Sequence, residues 1–460
     1  MITAAVLEPA MDVKTVDEAS FSYRTVLVYS LVTALICAVV VAPVFVSTPY
    51  GRLLNTVMLV ALFGLVIRTV VSSVITFAHV NTPTLPEDPD LPEVSVVIPA
   101  YNEAPVLEGT IEACRNLDYP EERLEVVLCY EAASVDGTCA MAERLAAEDD
   151  ITRAVKRDEP GGGKAKATNY ALRYATGDVI ASIDADHEFE PRAVRRAVAW
   201  FLDDEDTWCV KGRCFGRNPT DSVIALHATV ERHLAEKGEI TARELYGGYT
   251  FFGGGQAFFR AELFDELGLF DEQIMVEDID MSSKIHEAGK DLHVDPSVIT
   301  YEENPATLDA WWSQRKRWAR GWMQVANRYL TRVPGTSTLS LGQRLDGIYT
   351  MLYAIVPALL VLAMPMGVLS ALTSVSAPTY IPLSDSTLWT VPFFAPGAVF
   401  GLIALQDYRD GLSHNPAEYL AALTLGPYLI LQTAVYVTAF IQEYLFRKQS
   451  VYVTTSRSDG

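Results

Sequence analysis

Five apolar stretches, at 25–47, 53–77, 345–373, about 388–405 and 419–443, constrain this chain of 460 residues more than any other feature. Each is close to the roughly 20 apolar residues that a helix needs to cross the hydrocarbon of a bilayer. Two of them precede, and three follow, a segment of about 265 residues, 78–344, with ordinary globular composition. That layout predicts a multi-pass protein of the cell membrane with one large polar domain held between transmembrane helices. The expected division is a tail at 1–24, two spans in 25–77, a linker at 78–93, the domain at 94–330, a connecting segment at 331–344, about three spans in 345–445, and a tail at 446–460. Pro392 and Pro396 mark the span at 388–405 as interfacial or broken. Residues 1–24 carry Glu8, Asp12, Asp17 and Glu18, with no basic start before a short apolar core, so they do not read as a cleavable signal peptide.

Charge narrows the partners. The chain holds 58 acidic against 36 basic side chains, a formal net charge of −22, and only ten of the basic residues are Lys. Such a surface repels nucleic acid and suits a very salty cytosol, as in halophiles, where screening removes the self-repulsion. The six Cys, at 37, 114, 129, 139, 209 and 214, form no CxxC pair, which argues against a zinc knuckle or a thioredoxin-like motif.

The polar domain opens after the Pro-rich linker "NTPTLPEDPDLPE". "VSVVIPAYNE" then reads as a buried parallel strand that delivers Tyr101, Asn102 and Glu103 to its C-terminal end, where ligands gather in open α/β sheets. A helix at 105–117, a strand at 124–130, helices at 136–148 and 164–175 and the strand Val179–Ile183 follow. The alternation predicts an α/β domain with a mainly parallel sheet.

Four constellations carry chemistry. In "SIDADHEF", Asp184 and Asp186 are one residue apart at the strand's end, a spacing that suits chelation of one divalent ion, with His187 adjacent. The bland alternative is a solvated turn. "EPGGGKAKATNYAL" fails the Walker pattern, because Glu159 and Ala165 stand where Gly and Ser or Thr are required. Its glycines still lead into a helix start with Lys164 and Lys166, which suits a loosely held diphosphate. In "YTFFGGGQAFFRAELFDELGLFDEQIMVEDID", glycines 253–255, with Gly254 at their centre, let backbone approach a bulky ligand. Asp278 fits either a general base near an acceptor hydroxyl or a capping acid at a helix start. Finally, "DAWWSQRKRWARGW" packs four of the seven Trp into residues 309–322. As a helix it lines up Trp311, Arg315, Trp318 and Trp322 on one face and Gln314, Arg317 and Gly321 on the next. Anchoring at lipid headgroups accounts for its Trp and Arg in general, but not for Gln314.

Taken together, "VVIPAYNE", "DADH", "VED" and "QRKRW" resemble the ordered signature of processive family 2 glycosyltransferases, among them cellulose, hyaluronan, chitin and poly-N-acetylglucosamine synthases. The resemblance covers roughly residues 94–325 and the flanking spans. It implies a GT-A type, Rossmann-like cytosolic domain, a UDP-sugar donor, a Mg or Mn ion, and inversion at the anomeric carbon. By the same resemblance, Tyr101, Glu103, Glu131 and Lys166 would meet the nucleotide, Asp184 its nucleoside end and Asp186 the metal. Asp278 would deprotonate the acceptor, Arg317 would hold the diphosphate, and Gln314, Trp318 and Gly254 would border the acceptor sugar. Trp311 or Trp322 is left for the bilayer interface. The implied product is a growing polysaccharide. The alternatives are one sugar added to a polyprenyl phosphate or glycolipid, and an inactive synthase-like membrane partner. One departure stands out: residues 131–138 read "EAASVDGT", so Glu131, Ala132 and Ala133 replace the usual Asp-Asp-Gly. "VED" for the family's TED is a smaller one.

Overall fold

The computed structural model describes residues 12–14, 23–46, 48–159, 161–360, 379–381, 385–449 and 451–453. The apolar run Val94–Ala100 (β1) is almost wholly buried, as a strand paired on both edges and covered on both faces should be. Around it lie Leu124–Glu131 (β2), Thr152–Arg157 (β3), Val179–Ile183 (β4), Glu188–Phe189 (β5), Thr207–Gly216 (β6), Gln256–Arg260 (β7) and Asp291–Glu302 (β8). The sheet order is β3-β2-β1-β4-β7-β6-β8-β5. β3 was not legible in the sequence, because "TRAVKR" alternates charge with small apolar groups as edge strands do.

The sheet is mixed, which corrects the expectation of a mainly parallel one. β3, β2, β1 and β4 are parallel. β7 then runs antiparallel to both β4 and β6, while β6 and β8 are parallel to each other. The reason is local. After β4 the chain passes through an acidic turn and helix Ala193–Asp203 to β6, which lies one position beyond its neighbour, and the gap is filled by β7, which arrives from the opposite direction after the helical segment 223–246. Helices Ala104–Arg115, Thr138–Ala146 and Gly163–Leu172 lie within one or two residues of their expected starts.

Among the described residues, two helices are long and apolar enough to cross a membrane, Pro49–Ile75 and Pro416–Leu445, and Val26–Val39 is a shorter apolar helix. The stretch at 388–405 lies inside one unbroken helix, Asp385–Arg409, so Pro392 and Pro396 remove N–H donors without ending it. The stretch at 345–373 begins in helices Leu341–Tyr353 and Val356–Leu360, and its remainder, 361–373, lies outside the described residues.

A buried ion network fastens the sheet to the end of helix Asp385–Arg409. Arg213 of β6 donates from both terminal nitrogens to Asp407 at 2.7 Å, and Lys237 adds a contact at 2.8 Å. His414 Nε2 lies 2.9 Å from the same carboxylate, which has no exposure to solvent. Lys237 belongs to the π-helical stretch Leu234–Thr241, a geometry that is rare and local. Removing one member of such a network strands the other charges in low dielectric. Asp407→Ala is therefore expected to cost about 3–5 kcal/mol, read as a lowered unfolding midpoint of the detergent-solubilised protein; a midpoint within a degree of wild type would reject this view of the joint.

Candidate functional site

The turn after β1 is held by the segment that departs from the family pattern. Asn102 adopts a left-handed φ of 56°, which Asn tolerates better than most residues. Its side-chain oxygen accepts from the Val135 N–H at 2.9 Å. The N–H groups of Glu103 and Ala104 donate to Thr138 Oγ1 at 2.8 Å and Asp136 Oδ2 at 3.0 Å. Asp136 and Thr138 of "EAASVDGT" thus fix the turn that presents Tyr101 and Glu103, a task Ala132 and Ala133 do not share. Glu131 is buried and pairs with buried Arg157 at 2.7 Å. Burial pushes its carboxyl up, against the pull of Arg157.

At the end of β4, Asp184, Asp186 and His187 have ligand atoms within 4.8 Å of one another. Asp184 is set by backbone as well as charge: its N–H donates to the Gly255 carbonyl at 3.2 Å. A Cβ at Gly255 would lie 2.3 Å from Asp184 Cγ, so only Gly lets the two strands approach there. Both ring nitrogens of His187 face carboxylates, Nδ1 toward Asp186 at 3.3 Å and Nε2 toward Glu302 at 3.0 Å. Burial disfavours the charged ring, yet the bonds to Asp186 and Cys214 outweigh it and lift the imidazole to about 10. Ligation by His187 would need one of these contacts to open, which leaves Asp184 and Asp186 as the readier donors to a cation.

Lys164, not Lys166, reaches this cluster. Its ammonium lies 2.5 Å from Asp184 and 3.9 Å from Glu277. Lys166 pairs with exposed Glu159 at 3.2 Å. Sequence alone could not separate two lysines at i and i+2, because the choice rests on which of them the packed helix turns toward the end of β4.

Asp278 opens helix Glu277–Glu287, and its Oδ2 accepts from the Gly254 N–H at 2.7 Å. Gly254 has φ +87°, a conformation that points this N–H at the carboxylate without strain. Burial raises Asp278, with Lys164 and Arg317 opposing, and burial raises neighbouring Glu277 to about 7.

The Trp-rich segment lies in helix Leu308–Tyr329, capped by Thr307. Gly321 seats it: a Cβ there would come 2.6 Å from Val276 Cγ1, so the helix packs directly on the residue before Glu277 and Asp278. Arg315 is buried, bonds Glu231 at 2.9 Å and lies 4.3 Å over the Trp318 ring. It also donates to the Gln314 side-chain oxygen at 2.5 Å. Glu231 in turn accepts from Tyr428 and, at 2.6 Å, from Gln432, both on helix Leu425–Phe440. Of the two Trp left for the bilayer interface, Trp311 is interior and Trp322 is half-buried. Trp311 has no exposed surface and donates to Tyr428 at 2.6 Å, and Trp322 packs edge-on against Phe251 with ring centres 5.2 Å apart. Packing against helix Leu425–Phe440 had a stronger use for the Trp311 ring than the headgroup layer.

One cavity of about 750 Å³ joins these parts. Tyr101, Glu103, Glu131, Asp184 and Asp186 border it on the sheet side, Gly254, Asp278, Gln314, Arg317 and Trp318 at its middle, and apolar helices beyond. Neither Lys166 nor His187 is among its described lining residues. Glu231 and Glu302 went unnoticed in the sequence, since each lies outside a motif, and Glu277 was given no role although it stands in "VED".

The parallel half-sheet, the acidic turn after β4 and the antiparallel β7 give this chain a GT-A-type fold. The chain belongs to glycosyltransferase family 2: residues 92–321, half of the chain, match the model of "Glycosyltransferase like family 2". It is 30% identical over 245 residues to a Bacillus subtilis (strain 168) protein described as a probable glycosyltransferase, YdaM, covering 53% of this chain and 58% of the relative. It is 28% identical over 348 residues to the beta-monoglucosyldiacylglycerol synthase of Synechocystis sp., covering 73% of this chain and 68% of that one. Among solved structures, the mannosyltransferase PcManGT from Pyrobaculum calidifontis, in complex with GDP-Man and Mn2+, matches with a TM-score of 0.59 at 23% identity, over 86% of this chain and 100% of that chain. That last likeness is one of fold.

Gly321→Ala tests whether helix packing sets the site. The added methyl must displace stiff Val276, at a cost of about 1–3 kcal/mol. Turnover is expected to fall by about tenfold or more, since small misplacements of reacting groups are costly; full activity at wild-type stability would reject the seating role.

Proposed function

We propose that this protein is a membrane-bound inverting transferase that moves a sugar from a nucleoside diphosphate sugar to a hydroxyl on an acceptor held in the membrane, the domain facing the cytosol. UDP is the nucleotide favoured by the motif resemblance. The observation that carries the reading is the single cavity running from the Asp184–Asp186 cluster past Asp278 and Trp318 to apolar helices. A donor at one end and an acceptor at the other would meet at Asp278.

In this reading the bond from the anomeric carbon to the diphosphate oxygen breaks, and the nucleoside diphosphate leaves with the electron pair. The acceptor oxygen bonds to the opposite face of that carbon, and its proton passes to Asp278. The Gly254 N–H aims the carboxylate, and burial makes it more basic than a solvated Asp. Lys164 and Arg317 would meet the negative charge of the diphosphate, where preorganised cations stabilise a leaving group most. Trp318, held flat by Arg315, would stack on a sugar ring.

The carboxylates of Asp184 and Asp186 form the hard oxygen set that suits Mg or Mn. When bound there, such an ion would neutralise the diphosphate.

A lipid-linked acceptor fits the apolar far wall. Polysaccharide extension is kept as the second reading, because Trp318 and Trp322 both line the middle of the cavity and offer faces to a sugar chain. A Staphylococcus epidermidis relative, 25% identical over 248 residues, is named poly-beta-1,6-N-acetyl-D-glucosamine synthase, whereas the Synechocystis relative is named for a glycolipid. Product size separates the two.

Membranes incubated in high salt with labelled UDP-sugars and Mn should release UDP and label one product class, and chelation should stop this. Asp278→Asn should lower turnover by about 10²–10⁴-fold while nucleotide binding persists; an unchanged rate would exclude it as the base. The base acts deprotonated and its carboxyl is raised, so activity should fade on acidification at a higher pH than an ordinary Asp would give. A pH profile of kcat/KM with no acid limb above pH ~4 contradicts this.

A further inference from the structure

The far half of the cavity has a shape and a charge that restrict the acceptor. Helix Thr48–Ile75 contributes Asn55, Met58, Leu62, Leu65 and Thr69 to the wall, at alternating spacings of three and four. The opposite face of that helix is exposed, through Leu53, Val57, Val60, Ile67 and Val71. From Thr69 to Asn55 the cavity follows the helix for about 20 Å at 1.5 Å per residue, a large part of a bilayer's ~30 Å hydrocarbon thickness. Val399 and Ile430 face it from two other helices. This is room for an aliphatic tail.

The polar end of the same wall is acidic. Of the described residues lining the whole cavity, eleven carry carboxylates and five are cationic. Away from Lys164 and Arg317 at the donor side, every lining cation already faces an acid. Arg315 meets Glu231 at 2.9 Å, Arg232 meets Glu302, and Arg243 lies 3.2 Å from Asp346 and 3.4 Å from Glu239. Glu239 stands at the junction with the tail groove, accepting from Thr69 at 3.1 Å and lying 3.5 Å from Arg68 of the same helix. A phosphate entering here would meet Glu231 and Glu239 in a cavity with mostly apolar walls, with their cationic partners already engaged. Like charges in such surroundings repel strongly. A hydroxyl suffers no such penalty, because it donates to carboxylates.

We propose that the acceptor is a neutral lipid whose head presents free hydroxyls, such as a diacylglycerol or a neutral glycolipid, that its tail lies along helix Thr48–Ile75, and that Glu231 and Glu239 exclude lipid phosphates. The inference rests on the transferase reading above and adds the chemical class of its acceptor. The bonds exchanged are those already described, with the lipid hydroxyl supplying the proton that Asp278 takes.

The test uses the full chain in mixed micelles with Mn and a panel of UDP-glucose, UDP-N-acetylglucosamine and GDP-mannose. Dioleoylglycerol, glucosyl-dioleoylglycerol and undecaprenyl phosphate are offered separately, and nucleotide release and lipid mass are both followed. One of the two neutral lipids should gain a single sugar at least tenfold faster than undecaprenyl phosphate, and which one reacts identifies the head. Glu239→Gln should shrink that preference at least threefold. Equal or faster use of undecaprenyl phosphate overturns the proposal, as does a lipid-free sugar polymer. Nucleotide release with no lipid modified also overturns it while leaving the donor chemistry standing. No nucleotide release with any donor instead rejects the transferase reading beneath it. If Glu239→Gln does not fold, the comparison of the three lipids with the native chain still decides.

Discussion

The seating of helix Leu308–Tyr329 between the sheet domain and helix Leu425–Phe440 governs the rest of the site. One side of the helix lacks a side chain at Gly321 and so lies directly against Val276, next to Glu277 and Asp278. The other side buries Trp311 against Tyr428 and engages Arg315 with Glu231. Because both packings act on one rigid element, the positions of Arg317 and Trp318 relative to Asp278 are fixed by helix Leu425–Phe440 as much as by the sheet. A cavity that passes between these layers follows from that arrangement.

Charge is handled differently in the two halves of the molecule. At the joint, Arg213, Lys237 and His414 gather round one Asp407 with no solvent, a cluster whose value lies in holding two parts of the chain in one geometry. Around the cavity, acids outnumber cations, and burial leaves Glu277 and Asp278 more basic than free carboxylates. The first arrangement is closed to solvent. The second keeps carboxylates turned toward the cavity, where hydroxyl-bearing molecules find acceptors.

The departure at "EAASVDGT" illustrates how a motif can lose letters and keep its task. Asp136 and Thr138 hold the turn after β1, and these two are present. Glu131 is occupied by Arg157 inside the sheet edge, and the alanines that follow it do not hold that turn. A motif read only as a string gives each letter equal weight, whereas the hydrogen bonds do not.

The sequence by itself determined the α/β alternation up to β4 apart from β3, the acidic turn "DADH", the glycine loop, the helix bearing Gln314, Arg317 and Trp318, and the apolar helices that flank them. Those features are local: hydrophobic period, strand-ending turns and side-chain spacing act over a few residues and survive in a one-dimensional reading. Only the tertiary structure decided that β7 closes the sheet antiparallel, that Lys164 rather than Lys166 meets Asp184, that Trp311 is interior, and that Glu231, Glu239 and Glu302 belong to the cavity. Each of these depends on contacts between segments tens to hundreds of residues apart, where the partner is chosen by packing and burial and no local pattern records the choice.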